Sequence, residues 1–338
     1  MHGVDEWPDK PAEAALEPDL RIIDPHHHLW DVVDHAAFPP FTAQKFADLI
    51  AASGHHVVAT IYVEAHIALH QTGPKHLQFL GEIEAAEAFA VACQNQPVQI
   101  CRGIVSSADL RMDGGLLDAL LQKQLEISPG RLRGIRQILA WDEDDRFRYD
   151  NQKITRGMAY GPAMQSGVRK LAHYNLSFDT WLYHTQLAEV EALIAACPDT
   201  QIIVDHVGSP LGVGAYAGRQ AEVFAAWRAG VSALSRYENV AVKLGGMVMG
   251  ASGLELEVPE ERLSSARLSK LVSPYFDHVL DCFGSKRCMF ESNFPIDLLA
   301  CSYSMLWNAY KTYSSAFSAS EKEDLFFNNA NRIYRLGL

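Results

Sequence analysis

The chain contains no Cys-x-x-Cys pair, and its six cysteines (Cys93, Cys101, Cys197, Cys282, Cys288 and Cys301) lack the regular spacing of a disulfide framework. They read as reduced, mostly buried thiols. No cluster of Lys and Arg offsets the net charge of −12, so an electrostatic grip on nucleic acid or on an anionic membrane surface is not expected. No apolar run approaches the roughly 20 residues of a membrane span. The first twenty residues, acidic and bearing proline, lack the basic region and apolar core of a secretory signal. A cytoplasmic, small-molecule enzyme, with a homo-oligomer left open, is the expectation that remains.

What is present is a repeated alternation. Short β-branched or apolar runs, each followed by a longer segment of helical periodicity, begin at Arg21, Val57, Val98, Leu132, Leu176, Gln201, Asn239 and Arg287. They predict eight strands: 21–26, 57–63, 98–105, 132–139, 176–182, 201–206, 239–244 and 287–292. Thr42 is placed to cap a helix ending before Gly54, and Ser320 with Glu323 forms a capping-box pattern near the C-terminus. The 338 residues, 48% of them hydrophobic, suffice for one large domain. The reading is therefore an α/β fold, a (β/α)8 TIM barrel over residues 21–338, preceded by an N-terminal extension over 1–20. An open doubly wound sheet would share this grammar, but its Gly-rich first turn is missing. Residues 141–158 and 245–266 are long enough to be loops over the barrel mouth.

The first strand ends Asp24-Pro25-His26-His27-His28. Alternation along a strand places Asp24, His26 and His28 on one face and His27 on the other. In a barrel the C-terminal strand ends carry the active site, so His26 and His28 could share one divalent cation. The structural alternative is a pair of rim histidines satisfied by backbone carbonyls. His55, His56, His66, His70 and His76 have no such context and read as surface or loop residues.

Three segments, Ile23 to Asp31 (IDPHHHLWD), Val204 to Pro210 (VDHVGSP) and Met289 to Pro295 (MFESNFP), fall in order at the ends of strands one, six and eight. With them the chain resembles the amidohydrolase-related family of metal-dependent TIM-barrel hydrolases, among whose members are pyrone-dicarboxylate, sulfomuconolactone and sugar-lactone hydrolases. The likeness runs from about Arg21 to Leu336. It implies that His26 and His28 line a metal or substrate site and that His206 assists catalysis. On strand eight Asn293 stands where the wider superfamily has an aspartate, and an amide cannot act as a base near neutral pH. His206, Asp297 or Glu291 would take that role, with Asp297 otherwise a helix cap. Superfamily members draw a further histidine from strand five, which makes His184 the candidate third ligand or else a helix cap.

Arg136 is a candidate clamp for a substrate carboxylate, assisted by Arg102 or Arg133, or else a partner for an inward acid such as Glu64 or Asp179. Trp30 and Tyr62, with Trp141, could wall a ring substrate or simply pack. Strand four offers no lysine for carbamylation, so at most one cation, zinc or manganese, is expected, and the site could work without metal. The function implied is hydrolysis of a small lactone or related ester. The rivals are a non-oxidative decarboxylase of an aromatic or unsaturated acid and an inactive metabolite-binding barrel.

Overall fold

The computed structural model describes residues 6–31, 38–148, 153–254 and 263–338. Eight parallel strands run in the order β1 to β8: Ile22–His27, Val57–Val63, Gln99–Ser107, Leu132–Arg136, Ser177–Thr180, Ile202–Val204, Val240–Leu244 and Cys288–Phe290. β8 returns to β1 through Asn293 N–H to His26 O (2.8 Å) and His28 N–H to Phe294 O (2.7 Å), closing a (β/α)8 barrel. Six strands lie within the segments expected from the sequence, while β1 and β3 run one and two residues beyond theirs. β4, β5, β6 and β8 end earlier than expected, because their last residues leave the ladder to build the mouth.

A helix follows each strand: α1 Ala43–Ser53, α2 Leu80–Ala92, α3 Gly114–Ile127, α4 Pro162–His173, α5 Leu187–Ala196, α6 Gln220–Leu234, α7 Ser265–Phe283 and α8 Tyr303–Tyr313. Their apolar faces and the outward strand residues form the larger core layer. Thr42 caps α1 by accepting from Lys45 N–H at 3.2 Å, and Gly54 ends it with a left-handed φ of 72°. The C-terminal capping box uses Ser318 and Glu321 rather than Ser320 and Glu323. Both pairs fit the sequence pattern, and Ser318 is the residue at which the backbone is still extended.

The lumen is filled by Ile23, Ala59, Ile61, Val63, Val105, Ile203, Ala241 and Met289, against which Phe327, Ala330, Ile333, Tyr334 and Leu336 of the C-terminal segment pack. This apolar plug supports the polar layer above it. Residues 6–20 are fastened to the barrel: Trp7 stacks on Phe38 (5.5 Å), Leu16 N–H donates to Asn308 (2.8 Å), and Lys311 Nζ donates to Leu16 O (2.7 Å). Among the described residues no helix is long and apolar enough to cross a membrane.

Candidate active site

β1 breaks strict alternation. Its register with β2 shifts between Asp24 and His27, around Pro25, which cannot donate to the ladder. Asp24 consequently does not share a face with His26, as alternation predicts. Its carboxylate accepts from Ser292 N–H (3.1 Å) and from the Tyr303 hydroxyl on α8 (3.0 Å), tying β1 to β8. His27 packs outward against Phe46 and Tyr62, with neither ring nitrogen hydrogen-bonded. His26 and His28 turn to the mouth, their Nε2 atoms 3.2 Å apart.

His28 Nδ1 meets the Val63 carbonyl at 2.9 Å. A carbonyl only accepts, so Nδ1 carries the proton and Nε2 presents a lone pair. Burial, with Arg136 nearby, pulls the His28 imidazole down to about 3, and it stays neutral. His26 is likewise held well below its ordinary value by burial and by Lys243.

His206 follows β6 in a run of four left-handed residues, His206 (φ 54°), Val207 (50°), Gly208 (73°) and Ser209 (35°). Three of the four are not glycine, and such strain persists only where the surroundings enforce it. The run turns the His206 ring to Glu291, whose Oε1 lies 2.6 Å from Nδ1 and 3.1 Å from the His206 amide nitrogen. Gly245 and Gly246 make room for this pair. A Cβ on Gly246 (φ 62°) would stand 2.3 Å from His206 Nδ1, and one on Gly245 would stand 2.3 Å from Glu291 Cγ. Glu291 is ionised: burial would raise its carboxyl, but His206 and His26 outweigh burial and hold it at about 2.

Beneath His26 lies an ion network that the sequence reading missed. The Lys243 ammonium on β7 is 2.9 Å from Asp179, 3.0 Å from Asp205 and 3.2 Å from His26 Nδ1, and all four side chains are inaccessible to solvent. Tyr334 donates to Asp179 from the C-terminal plug. Burial alone would discharge Lys243, yet Asp179, Asp205 and Glu291 hold its pKa above the ordinary lysine value. The available signal was a lysine inside the apolar run Val240 to Leu244.

Arg136, at the end of β4, donates from Nε to Glu64 Oε1 (2.8 Å) and from Nη2 to Glu64 O (2.5 Å). Its Nη1 lies 3.4 Å from His26 Nε2. Arg136 thus pairs with an inward acid, Glu64, and it also lines the pocket. That pocket holds about 530 Å³ of empty space, open mouth included. Its walls include His28, Trp30, Glu64, His66, Arg136, His206 and Asn293, with Trp181, Ile138 and Met249 supplying apolar surface.

Other expected site residues lie elsewhere. Tyr62 faces outward, where its hydroxyl donates to Glu82 of α2 at 3.0 Å. His184 Nδ1 accepts the Leu211 amide (3.3 Å), and its ring packs on Tyr216 (5.1 Å). Asp297 is fully buried and accepts from Asn293 Nδ2 at 2.7 Å. Burial drives its carboxyl well above the usual range, and the residue is not part of the pocket wall. Arg102 and Arg133 bond to the backbone at Leu336, Leu132 and Gly130, away from the pocket. His66, read as a loop residue, is instead part of the pocket wall.

Among the described residues one group has donor atoms placed for a metal ion: His26, His206 and Glu291, whose candidate ligand atoms lie within 4.8 Å of one another. Glu291 takes the place expected for His184. Glu291 Oε2 is buried 2.9 Å from His26 Nδ1, and the nitrogen and oxygen set suits one divalent ion such as zinc or manganese. Against this, Lys243 already brings a positive charge to His26 Nδ1, and His206 Nδ1 is engaged by Glu291.

A closed barrel with imidazoles, an ionised glutamate and a guanidinium gathered at its C-terminal mouth has the layout of a TIM-barrel active site. Residues 23–336 match the Amidohydrolase family, to which this chain belongs. An uncharacterized protein of Sinorhizobium fredii is 30% identical, the match covering 94% of this chain and 99% of that one. An L-fucono-1,5-lactonase of Burkholderia multivorans is 28% identical over 93% of this chain and 96% of its own length. Among solved structures, a zinc-bound amidohydrolase of the same organism shares the fold with a TM-score of 0.71 at 23% identity, covering 93% of this chain and 99% of that one.

Proposed function

We propose that the protein hydrolyses a small lactone by water attack at the mouth of the barrel. The observation that carries this reading is the His206–Glu291 pair. With Nδ1–H held by an ionised carboxylate, the basic atom of His206 is Nε2, on a ring that lines the pocket. The Nε2 atom takes a proton from water as the oxygen attacks the lactone carbonyl, and Glu291 stabilises the imidazolium that forms.

Arg136 supplies positive charge beside the carbonyl oxygen and then beside the product carboxylate. Neutral His26 and His28 cannot both polarise a carbonyl, because the tautomer of His28 leaves Nε2 an acceptor. His28 is better suited to accept from a substrate hydroxyl. Asn293 has its NH2 group turned to Asp297, so its amide oxygen is left to orient the water. Trp30 and Trp181 supply flat walls for a ring.

A divalent ion held by His26, His206 and Glu291 would act as a Lewis acid on the carbonyl. The same ion would compete with Glu291 for His206, and the dyad accounts for the base without it. The kinship to L-fucono-1,5-lactonases supports a lactone as the substrate class.

The test is acid release from a panel of aldonolactones and carboxylate-bearing ring lactones, with carbon dioxide release from aromatic acids measured beside it. Lactone opening that is lost in His206→Ala supports the reading. Carbon dioxide release without lactone opening would transfer the site to a decarboxylase.

A further inference from the structure

Ring opening moves two protons: one leaves the attacking water, and one must reach the departing ring oxygen, because an alkoxide is a poor leaving group. The first goes to His206. Resting on the lactone reading, we infer that His66 is the general acid that delivers the second.

His66 lies three residues beyond the end of β2, and His206 two residues beyond the end of β6. In the ring β1 to β8 these strands are four apart, so they stand on opposite sides of the barrel, and both imidazoles line the one pocket. The leaving oxygen of a ring substrate lies across the carbonyl carbon from the incoming water. A base on one wall and an acid on the opposite wall serve these two oxygens from opposite sides.

The local structure holds His66 as an acid would be held. Its backbone is left-handed (φ 60°), and its ring packs edge-on against Phe79 at 6.1 Å. Its Nδ1 lies 3.6 Å from Glu64 Oε2, while Arg136 occupies Glu64 Oε1 at 2.8 Å. One ionised carboxylate thus fixes the guanidinium at the carbonyl and the imidazolium at the leaving group. Among the described residues, the charged groups facing His66 include Glu64 from its own segment, Glu82 from α2 and Arg136 from β4. Burial pulls its imidazole down and Arg136 adds to this, but the nearby carboxylates of Glu64 and Glu82 outweigh both and raise it. The protonated form is therefore available near neutral pH.

The step balances without a further reactant. Water gives its proton to His206 and its oxygen to the carbonyl carbon. The carbon–oxygen ring bond breaks, and its electron pair takes the proton of His66. Exchange of one proton from His206 and one to His66 with solvent restores both residues and leaves the hydroxy acid.

A general acid matters in proportion to how poor the leaving group is. In His66→Gln and His66→Asn, kcat/KM for a 1,5-aldonolactone, which expels an alkoxide, falls at least about 100-fold, the lower end for general acid catalysis. Hydrolysis of dihydrocoumarin, whose phenol leaves without help, changes by less than about fivefold, and this retained activity reports that the variants fold. Equal losses on both substrates, or no loss on either, would overturn the assignment. If the wild-type enzyme opens neither lactone, the lactone reading itself fails and the assignment falls with it, an outcome distinct from failure of His66 alone.

Discussion

Glu291 holds His206 by two bonds at once, its Oε1 accepting from both the backbone nitrogen (3.1 Å) and the ring Nδ1 (2.6 Å) of the same residue. The first bond stabilises the left-handed turn after β6, and the second fixes the tautomer. One carboxylate therefore does the work that conformational strain and imidazole basicity each require.

Glu291→Gln separates these two effects. The amide oxygen can still accept from one N–H, so the turn survives, but the negative charge that stabilises the imidazolium is gone. A loss of about 1,000-fold in kcat with KM nearly unchanged is expected, the pattern of a transition-state interaction. Steady-state kinetics on the best lactone of the panel will check this. A KM effect with kcat intact would remove Glu291 from the dyad.

The approach of Gly246 to His206 leads to a second expectation. Gly246→Ala places a methyl group 2.3 Å from Nδ1 at a backbone φ of 62°. The backbone strain alone costs about 1–2 kcal/mol, or a few degrees of melting temperature in a chain of this size. Displacing the His206 ring should cost at least about 100-fold in kcat, as removal of a positioned acid or base does. Thermal melting paired with kinetics distinguishes a modest stability loss with collapsed activity from the reverse.

Metal dependence follows from the competition between Glu291 and a cation for His206. Catalysis is expected to survive incubation with a chelator and dialysis, and excess zinc is expected to inhibit, since capture of Nδ1 leaves the proton on Nε2 and removes the base. Elemental analysis of the dialysed protein, with rates before and after zinc addition, makes the comparison. Activity abolished by chelation and restored by metal would show that the ion supplies the electrophile.

Much of this site was legible in the sequence. His26, His206, Arg136 and Asn293 could be placed because each lies at or within three residues of the end of a buried parallel strand, where a polar residue has few places to point. What escaped depends on departures from regular alternation. The irregular register at Pro25 sends Asp24 to α8, and the end of β2 at Val63 puts Glu64 at the pocket while Tyr62, two residues earlier, faces α2. Lys243 was visible as a charge in a strand, but its partners come from β1, β5 and β6 and its meaning lay in their convergence. His66 sits in a loop whose path no local pattern dictates.

Burial of neutral histidines carries a cost in acid. His28 is pulled down to about 3 and His55 and His184 to about 4, while His26 and His27 also lie well below the ordinary value. For each, the unfolded chain titrates near 6.5 and binds a proton that the folded chain refuses, so stability is level above about pH 6.5 and falls as pH drops below it. Asp24, raised to about 6, works in the opposite sense, since its folded form gains a proton before the unfolded one does. Asp297, Asp179, Glu82 and Glu189, which burial also raises, act in the same sense as Asp24, so one histidine must be isolated to read one slope. His27 isolates a single contribution: it lies outside the pocket, packs against Phe46 and Tyr62, and has no hydrogen-bond partner at either nitrogen. His27→Phe should be about 1–2 kcal/mol more stable than the wild type at neutral pH, from relief of buried unsatisfied polar atoms. Near pH 5.5 its stability should fall less steeply, by up to about 1.4 kcal/mol per pH unit, the slope of one proton. Denaturant unfolding between pH 5 and 8 measures both quantities. Identical slopes for the two proteins would mean that His27 accepts a proton in the folded barrel, contrary to its apolar surroundings.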